Sequence, residues 1–171
     1  MKLDQSDIKL LNLVQRDSKK TAKELGGVLD MPVTTVYAKI KRMEDLHVIR
    51  KYTAILDGPM LGFTATAFVL ATFSYRSSGG TEAMLSQREV AKEVARFPEV
   101  QEVHVISGDW DLLIKVKTTD IDAVGRFVID KLRTVRGIEK TVTCMVFDTA
   151  KEAPEINLGS HGAPMQQSLR E

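Results

Sequence analysis

Thr21-Ala-Lys-Glu-Leu-Gly-Gly-Val-Leu-Asp-Met-Pro-Val-Thr-Thr-Val-Tyr-Ala-Lys-Ile-Lys-Arg42 is the stretch on which the reading of this 171-residue chain turns. Thr21-x-x-Glu24 has the form of a capping box, and Ala22, Leu25, Val28 and Leu29 then share one helical face. Asp30-Met31 breaks the pattern. Pro32 suits the first turn of a new helix, and Val36, Ile40 and Met43 recur at helical spacing as far as about Leu46. At about 100° per residue those three lie within about 60° of one another, which leaves Thr34, Ala38, Lys41 and Asp45 opposite them, with Thr35 and Arg42 adjoining. Two helices joined by a short break, the second with a small, polar and basic outer face, meet the needs of a helix-turn-helix. Its second helix must enter a major groove and set hydroxyl and basic groups against bases and phosphates. Thr34, Thr35 and Ala38 are small enough to enter, and Tyr37, Lys39, Lys41, Arg42 and, just downstream, Arg50 can supply phosphate contacts or base readout. An ordinary amphipathic helix with a solvated basic face has the same pattern. Gly26-Gly27 costs about 1 kcal/mol per glycine relative to alanine, and the close approach of a neighbouring helix is the only account the pattern offers.

Working outward, an earlier helix is expected from Asp4, a capping residue, to about Arg16, with Ile8, Leu11 and Val14 or Gln15 at helical spacing and Leu10 and Leu13 widening the stripe. A β-rich run, Val48 to Leu56, follows the quoted stretch and ends in the turn residues Asp57-Gly58-Pro59. From Thr64 the texture changes to strands: Thr64 to Tyr75, Val100 to Ser107, Asp111 to Val116 and Ile138 to Phe147. Two helices separate them. One opens with the capping-box pattern Ser86-Gln-Arg-Glu89 and carries Val90, Val94 and Phe97; the other carries Ile121, Val124, Val128 and Leu132 and ends by Gly137. The order β-α-β-β-α-β is that of a ferredoxin-like unit, an antiparallel sheet of four strands with both helices on one face. Residues 151–171 show no periodicity and read as an extended or mobile tail.

The chain carries 24 basic and 23 acidic side chains, a net +1 that gives no hint of a nucleic-acid partner, and 43% of its residues are hydrophobic, enough for a core. Divided by region, the balance changes. Residues 1–63 hold 11 basic and 8 acidic groups (+3), residues 64–150 hold 11 and 12 (−1), and the tail 2 and 3 (−1). The positive charge gathers in the helical part, as a nucleic-acid-reading unit requires. Cys144, the one cysteine, excludes an internal disulfide and a zinc knuckle; it reads as a buried structural thiol in a reducing compartment, and cytoplasm is the expectation. No stretch approaches the ~18 apolar residues of a membrane span, and the acid in Met1-Lys2-Leu3-Asp4 argues against a signal peptide. His47, His104 and His161 have no metal-ligand spacing, and neither a phosphate-binding G-x-x-x-x-G-K nor a G-x-S-x-G elbow occurs. No catalytic residue, metal or cofactor is expected, and His47 is placed at a helix end.

Gly108-Asp109-Trp110-Asp111 is the second candidate site. A glycine-led turn between strands presents backbone N–H groups and two carboxylates, suited to the carboxylate and the ammonium of an amino acid. A plain hairpin turn capped by its aspartates would look the same. On the last strand Thr141, Thr143 and Met145 alternate with Val142, Cys144 and Val146, and the polar set is expected on the helix-free face, where it would serve a ligand, a partner or solvent. The strand from Thr64 is apolar on both faces, Ala67, Val69 and Phe73 on one and Phe68 and Leu70 on the other, which points to sheet packing against another subunit.

Val33-Thr34-Thr35-Val36 through Lys41-Arg42-Met43-Glu44, with Val48-Ile49-Arg50 and Tyr52-Thr53 after it, resembles the recognition helix and following strand of the Lrp/AsnC (leucine-responsive/asparagine-operon, feast/famine) transcription regulators. Leu3-Asp4-x-x-Asp7-x-x-Leu10-Leu11 resembles their first helix and Leu56-Asp57 through Leu61-Gly62 their hinge. Pro98-Glu99-Val100, Gly108-Asp109-Trp110-Asp111-Leu112-Leu113, Gly137-Ile138 and Thr141-x-Thr143 are similar in order and spacing to their ligand-binding half. The resemblance covers about residues 3–151. It implies an α+β protein: a winged helix-turn-helix (1–57), a hinge (58–63) and a ferredoxin-like, ACT-like RAM domain (64–150), followed by the tail (151–171). It implies a regulator of promoter or operator DNA that forms dimers and higher assemblies, with an amino-acid effector between subunits at Gly108, Asp109, Trp110 and Asp111 and at Thr141, Thr143 and Met145. Three departures stand out: Pro32 where the family places a serine cap, so that the recognition helix must be capped differently; a longer loop from Tyr75 to Leu85; and a longer tail. Two other readings remain: an amino-acid-binding regulatory subunit of a metabolic enzyme, and an architectural DNA-binding protein without effector.

Overall fold

Asp4 starts the first helix because its short acidic side chain can reach back to free backbone N–H groups. In the computed structural model, which describes residues 3–74 and 86–159, the Asp4 carboxylate accepts the Asp7 N–H at 2.7 Å and the Asp7 carboxylate accepts the Asp4 N–H at 2.9 Å, a reciprocal box at the head of α1 (Gln5–Arg16). The Thr21 and Glu24 box forms too and opens α2 (Ala22–Leu29). Helix α3 (Val33–Asp45) has no side-chain cap, since proline has no side-chain oxygen; the Pro32 carbonyl accepts the Thr35 and Val36 N–H groups instead. Left-handed residues close α2 at Asp30 (φ 53°) and follow the end of α3 at His47 (φ 55°).

These helices enclose a core of Leu10, Leu11, Val14, Ala22, Leu25, Val36 and Met43. The buried stripe of α1 is Asp7, Leu10, Leu11 and Val14, so an aspartate heads the stripe that was expected to start at Ile8, and Ile8 is only half-buried. Gly26 has its explanation in the turn rather than in a neighbouring helix. A Cβ at that position would stand 2.6 Å from the Met31 carbonyl oxygen, while the Met31 N–H donates to the Gly26 carbonyl at 2.9 Å. Gly27 faces open space. The β-rich run from Val48 to Leu56 forms no strand, because β-propensity alone supplies no partner for its N–H and C=O groups.

The second unit, 56–150, is the sheet domain. It contains β1 (Ala65–Phe73), α4 (Gln87–Val94), β2 (Val100–Val105), β3 (Leu112–Thr118), α5 (Ile121–Arg126, running on through a π-helical turn Phe127–Lys131 and a 3-10 turn Leu132–Thr134) and β4 (Ile138–Met145). Strand order is β2-β3-β1-β4 with every neighbour antiparallel, the ferredoxin-like arrangement. Along β1 and β3 every second residue is buried, and Ala67, Val69, Ala71, Ile114 and Val116 pack with Val90, Val94, Val124 and Leu132 of the helices. Phe127 joins them, edge-on to Phe97 at 5.7 Å between ring centroids. Ile121 does not: it is exposed on the first turn of α5, and the buried stripe runs through Val124, Phe127, Val128 and Leu132. Ser86 makes no side-chain cap to α4; its carbonyl accepts the Glu89 N–H. Among the described residues the opposite sheet face is free of helices and carries Phe68, Leu70, Leu113, Val142 and Cys144, aligned by the pairs Phe68 with Cys144 and Leu70 with both Leu113 and Val142. The Cys144 thiol is therefore exposed on that face rather than buried. The loop 75–85 lies outside the described residues.

Candidate nucleic-acid interface and effector loop

Helix α3 presents two different faces. Val36 and Met43 are fully buried, while Thr34, Tyr37, Ala38, Lys41 and Asp45 are exposed in a stripe at 3- and 4-residue spacing, with Tyr37 64% exposed near its middle. Thr35 is half-buried at its margin, and Arg50 is exposed beyond the helix. With no side-chain cap, and with the Thr35 and Val36 N–H groups taken by the Pro32 carbonyl, the Val33 and Thr34 N–H groups at the positive end of α3 meet no competing side chain, a state suited to a phosphate.

The basic residues of this helix divide sharply. Asp7 of α1 has no exposed side-chain surface, and its carboxylate accepts hydrogen bonds from Lys39 Nζ at 2.8 Å and from Arg42 Nη2. Lys39 also reaches Asp4 at 2.9 Å and is left only 17% exposed. Burial raises the Asp7 pKa, but the hydrogen bonds from the Lys39 ammonium and the Asp4 N–H outweigh it and hold the carboxyl below the usual carboxylate value. Asp4 is also held low, by the Ser6 hydroxyl and by Lys39. Burial depresses the Lys39 ammonium, and the bonds to Asp7 and Asp4 more than reverse that. Lys39 thus ties α3 to α1 and is not a freely solvated cation. Arg42, 48% exposed, spends one edge of its guanidinium on Asp7. Lys41 has no carboxylate partner among the described residues. Sequence reasoning missed the acidic partners; the available signal was that Asp7, Leu10, Leu11 and Val14 are spaced as one helical face.

The effector candidates split in a similar way. Gly108 (φ +126°) takes a backbone shape that favours glycine, and the loop closes where the Ile106 N–H donates to the Asp111 carbonyl at 2.9 Å. The Asp111 carboxylate is occupied: Oδ2 accepts the Phe73 N–H at 2.8 Å and Oδ1 accepts Gln87 Nε2 at 2.8 Å, binding the loop to β1 and α4. Asp109 is exposed with no hydrogen-bond or ion-pair partner among the described residues, beside a half-buried Trp110. The Asp111 N–H donates to the Ala71 carbonyl, and Thr141 pairs with Ala71 from the other side, so the loop and the start of β4 stand two strand spacings apart, roughly 10 Å. Met145 is four residues further along β4, roughly 13 Å away, and lines a separate open cavity with Ile121 and Phe147.

The face assignment on β4 needs correcting. Thr141, Thr143 and Met145 pair with Ala71, Val69 and Ala67, the residues that face the helices, so they stand on the helix-covered side, with Thr143 exposed at the edge of the sheet. Alternation separates the two sets of side chains; only the pairing register decides which set meets the helices. No group of three or more His, Cys, Asp or Glu among the described residues could hold a metal, and none of the helices described is long and apolar enough to cross a membrane.

Comparison with known proteins covers both halves of the chain. Residues 3–50 match the winged helix-turn-helix DNA-binding family and residues 66–156 the Lrp/AsnC ligand-binding domain. An HTH-type transcriptional regulator of Pyrococcus abyssi (strain GE5 / Orsay) is 40% identical over 150 residues, 88% of this chain and 96% of that protein. Among solved structures, a transcriptional regulator of Neisseria meningitidis in complex with L-Met superposes with a TM-score of 0.82 at 25% identity, over 91% of this chain and 97% of the other. An AsnC family transcriptional regulator of Agrobacterium tumefaciens gives 0.81 at 27% identity, with the same coverage of both chains.

Proposed function

Since this chain belongs to the Lrp/AsnC family of DNA-binding transcription regulators, we propose that it reads a sequence-specific operator with the exposed stripe of α3 and answers to an amino acid bound in its sheet domain. Thr34 and Ala38 leave room for close approach to a major groove, Tyr37 reaches a base edge or phosphate, and Lys41 with the free edge of Arg42 neutralises phosphates. Arg50 adds a flanking phosphate contact. The observation that carries the reading is the contrast within α3 between fully buried Val36 and Met43 and 64% exposed Tyr37.

Self-association is supported by the helix-free sheet face, where Phe68, Leu70, Leu113 and Val142 make an apolar band that a second copy's sheet would cover. Dimers bring two reading heads to two half-sites, and higher assemblies extend that pairing. For the effector, the L-Met bound to the Neisseria regulator supports an amino acid. Asp109 would meet its ammonium and the N–H groups of the Gly108 turn its carboxylate, with Trp110 against the side chain; Thr141 and Thr143, two strand spacings away in the same protomer, would contribute from a neighbouring subunit. Regulation is then linkage: the amino acid favours one assembly, and the affinity of the paired heads for DNA shifts with it. Footprinting of the purified protein on its own promoter region tests the reading. A protected site with approximate two-fold symmetry is expected; equal binding to any duplex favours the architectural alternative, and no binding favours a regulatory subunit.

A further inference from the structure

Residues 151–159, Lys-Glu-Ala-Pro-Glu-Ile-Asn-Leu-Gly, follow the last strand of the sheet domain yet group with the helical unit. The attachment is specific. The Gln15 carboxamide of α1 donates from Nε2 to the Ile156 carbonyl at 2.8 Å and accepts the Ile156 N–H on Oε1 at 3.1 Å. This two-point grip on one residue's backbone is what a neighbouring strand would supply. Gln15 is itself oriented by a second bond from Nε2 to the Asn12 side-chain oxygen at 3.1 Å. Two residues on, Leu158 packs against the helical core, and the Gly159 N–H donates to Asn157 Oδ1 at 3.0 Å with Gly159 in a left-handed conformation (φ +66°). The Ile156 side chain stays 69% exposed, so recognition runs through the backbone.

We propose that the outer face of α1 is a docking surface for residues 151–159 of the same chain, and that this strap attaches and releases reversibly to control how the reading head is held. Two backbone hydrogen bonds and one half-buried leucine hold an extended segment only marginally, which places docking among the local equilibria that open far below global unfolding. Docked, the strap gives the helical unit a second covalent route to the sheet domain besides the one at residues 55 and 56. It follows β4, the strand that carries Thr141, Thr143 and Met145, after the five residues 146–150. It also leaves α3 uncovered, because its contacts are to α1 and to the helical core. A head with two attachments samples fewer orientations, so two heads of an assembly meet paired half-sites at a higher effective concentration than heads held by one. This last step rests on the DNA-reading function proposed above; the docking itself does not.

The full chain carrying Gln15→Ala tests both parts. By hydrogen exchange, the Ile156 amide should be protected in the parent and exchange about tenfold faster in the variant, with α2 and α3 amides unchanged. In DNA binding, the preference for a duplex with two half-sites over one with a single half-site should fall about three- to tenfold, while single-site affinity holds. Leu158→Ser, which alters the strap and leaves α1 intact, should do the same, and it stands in if Gln15→Ala fails to fold. An Ile156 amide unprotected in the parent overturns the docking surface. Equal losses on single and paired sites overturn the control of the head. If the parent binds neither duplex, the DNA-reading function fails while the exchange result still judges the strap.

Discussion

Asp7 and Arg42 meet across the helical unit, the carboxylate of α1 fully buried and the guanidinium of α3 half in solvent. Together with Lys39 and Asp4 they make a cluster of two acids and two bases whose charges cancel. The +3 charge of residues 1–63 is therefore carried entirely by groups outside this cluster. The cluster fixes how α3 stands on α1, and of the basic residues within α3 Lys41 and the outer edge of Arg42 remain for a ligand, with Arg50 exposed beyond the helix.

Asp7→Ala would leave Lys39 partly buried without its main partner and would remove half of the α1 capping box. Breaking such a pair costs about 3–5 kcal/mol. Thermal unfolding of the full chain should show the helical unit melting early with the sheet domain unaffected, and an unchanged melt would mean that the cluster contributes nothing.

Lys41 and Lys39 should separate cleanly. Lys41→Ala is expected to leave stability within about 0.5 kcal/mol and to reduce the slope of log affinity against log salt by about 0.9, one phosphate's share. Lys39→Ala should lower stability. A salt slope that responds to Lys39 and ignores Lys41 would reverse the assignment.

The two adjacent glycines give opposite expectations. Gly27→Ala, in open space within α2, should stabilise by up to about 1 kcal/mol. Gly26→Ala drives a methyl group into the Met31 carbonyl and should destabilise by about 1–3 kcal/mol, as overpacking does. Chemical denaturation of both variants decides, and equal effects would refute the close-approach account.

Asp4 and Asp7 titrate below the ordinary carboxylate value when folded. In the unfolded chain they take up protons first, at about pH 4, so the stability they contribute is complete above that pH and is lost as pH falls below it toward their native values. Lys39, held raised, contributes fully below the ordinary lysine value of about 10.4 and loses its contribution only above it. Stability measured against pH should fall on the acid side of about pH 4, with a shallower fall in Asp7→Asn. Parallel curves would show that this carboxylate is not responsible.

Methionine is the first effector to test. An amino acid at 100 times its dissociation constant adds about 2.7 kcal/mol to stability. Asp109→Asn should abolish the resulting shift in melting temperature without altering the unliganded melt, whereas Asp111→Asn should lower the unliganded melt by loosening β1 and α4 from the loop. A shift that survives Asp109→Asn places the ammonium elsewhere.

The elements that depend on neighbouring residues were legible. The boxes at Asp4 and Thr21, the break at Met31-Pro32, the period of Val36, Ile40 and Met43 and the strand alternation all arise from contacts within a few residues, and they determined the helix-turn-helix and the βαββαβ order. Features that need a partner distant in the chain were not legible. Asp7 looks like a surface acid until α3 brings Lys39 and Arg42 beside it. Thr141, Thr143 and Met145 could have faced either way until β4 paired with β1, since alternation fixes two sets of side chains and only register chooses between the faces. Residues 151–159 carry no pattern because Gln15 holds them by the backbone, which every sequence has. Local backbone preference and periodicity were thus the sequence's own contribution; charge pairing, face and strap were decided by tertiary structure, where the partners lie tens of residues apart.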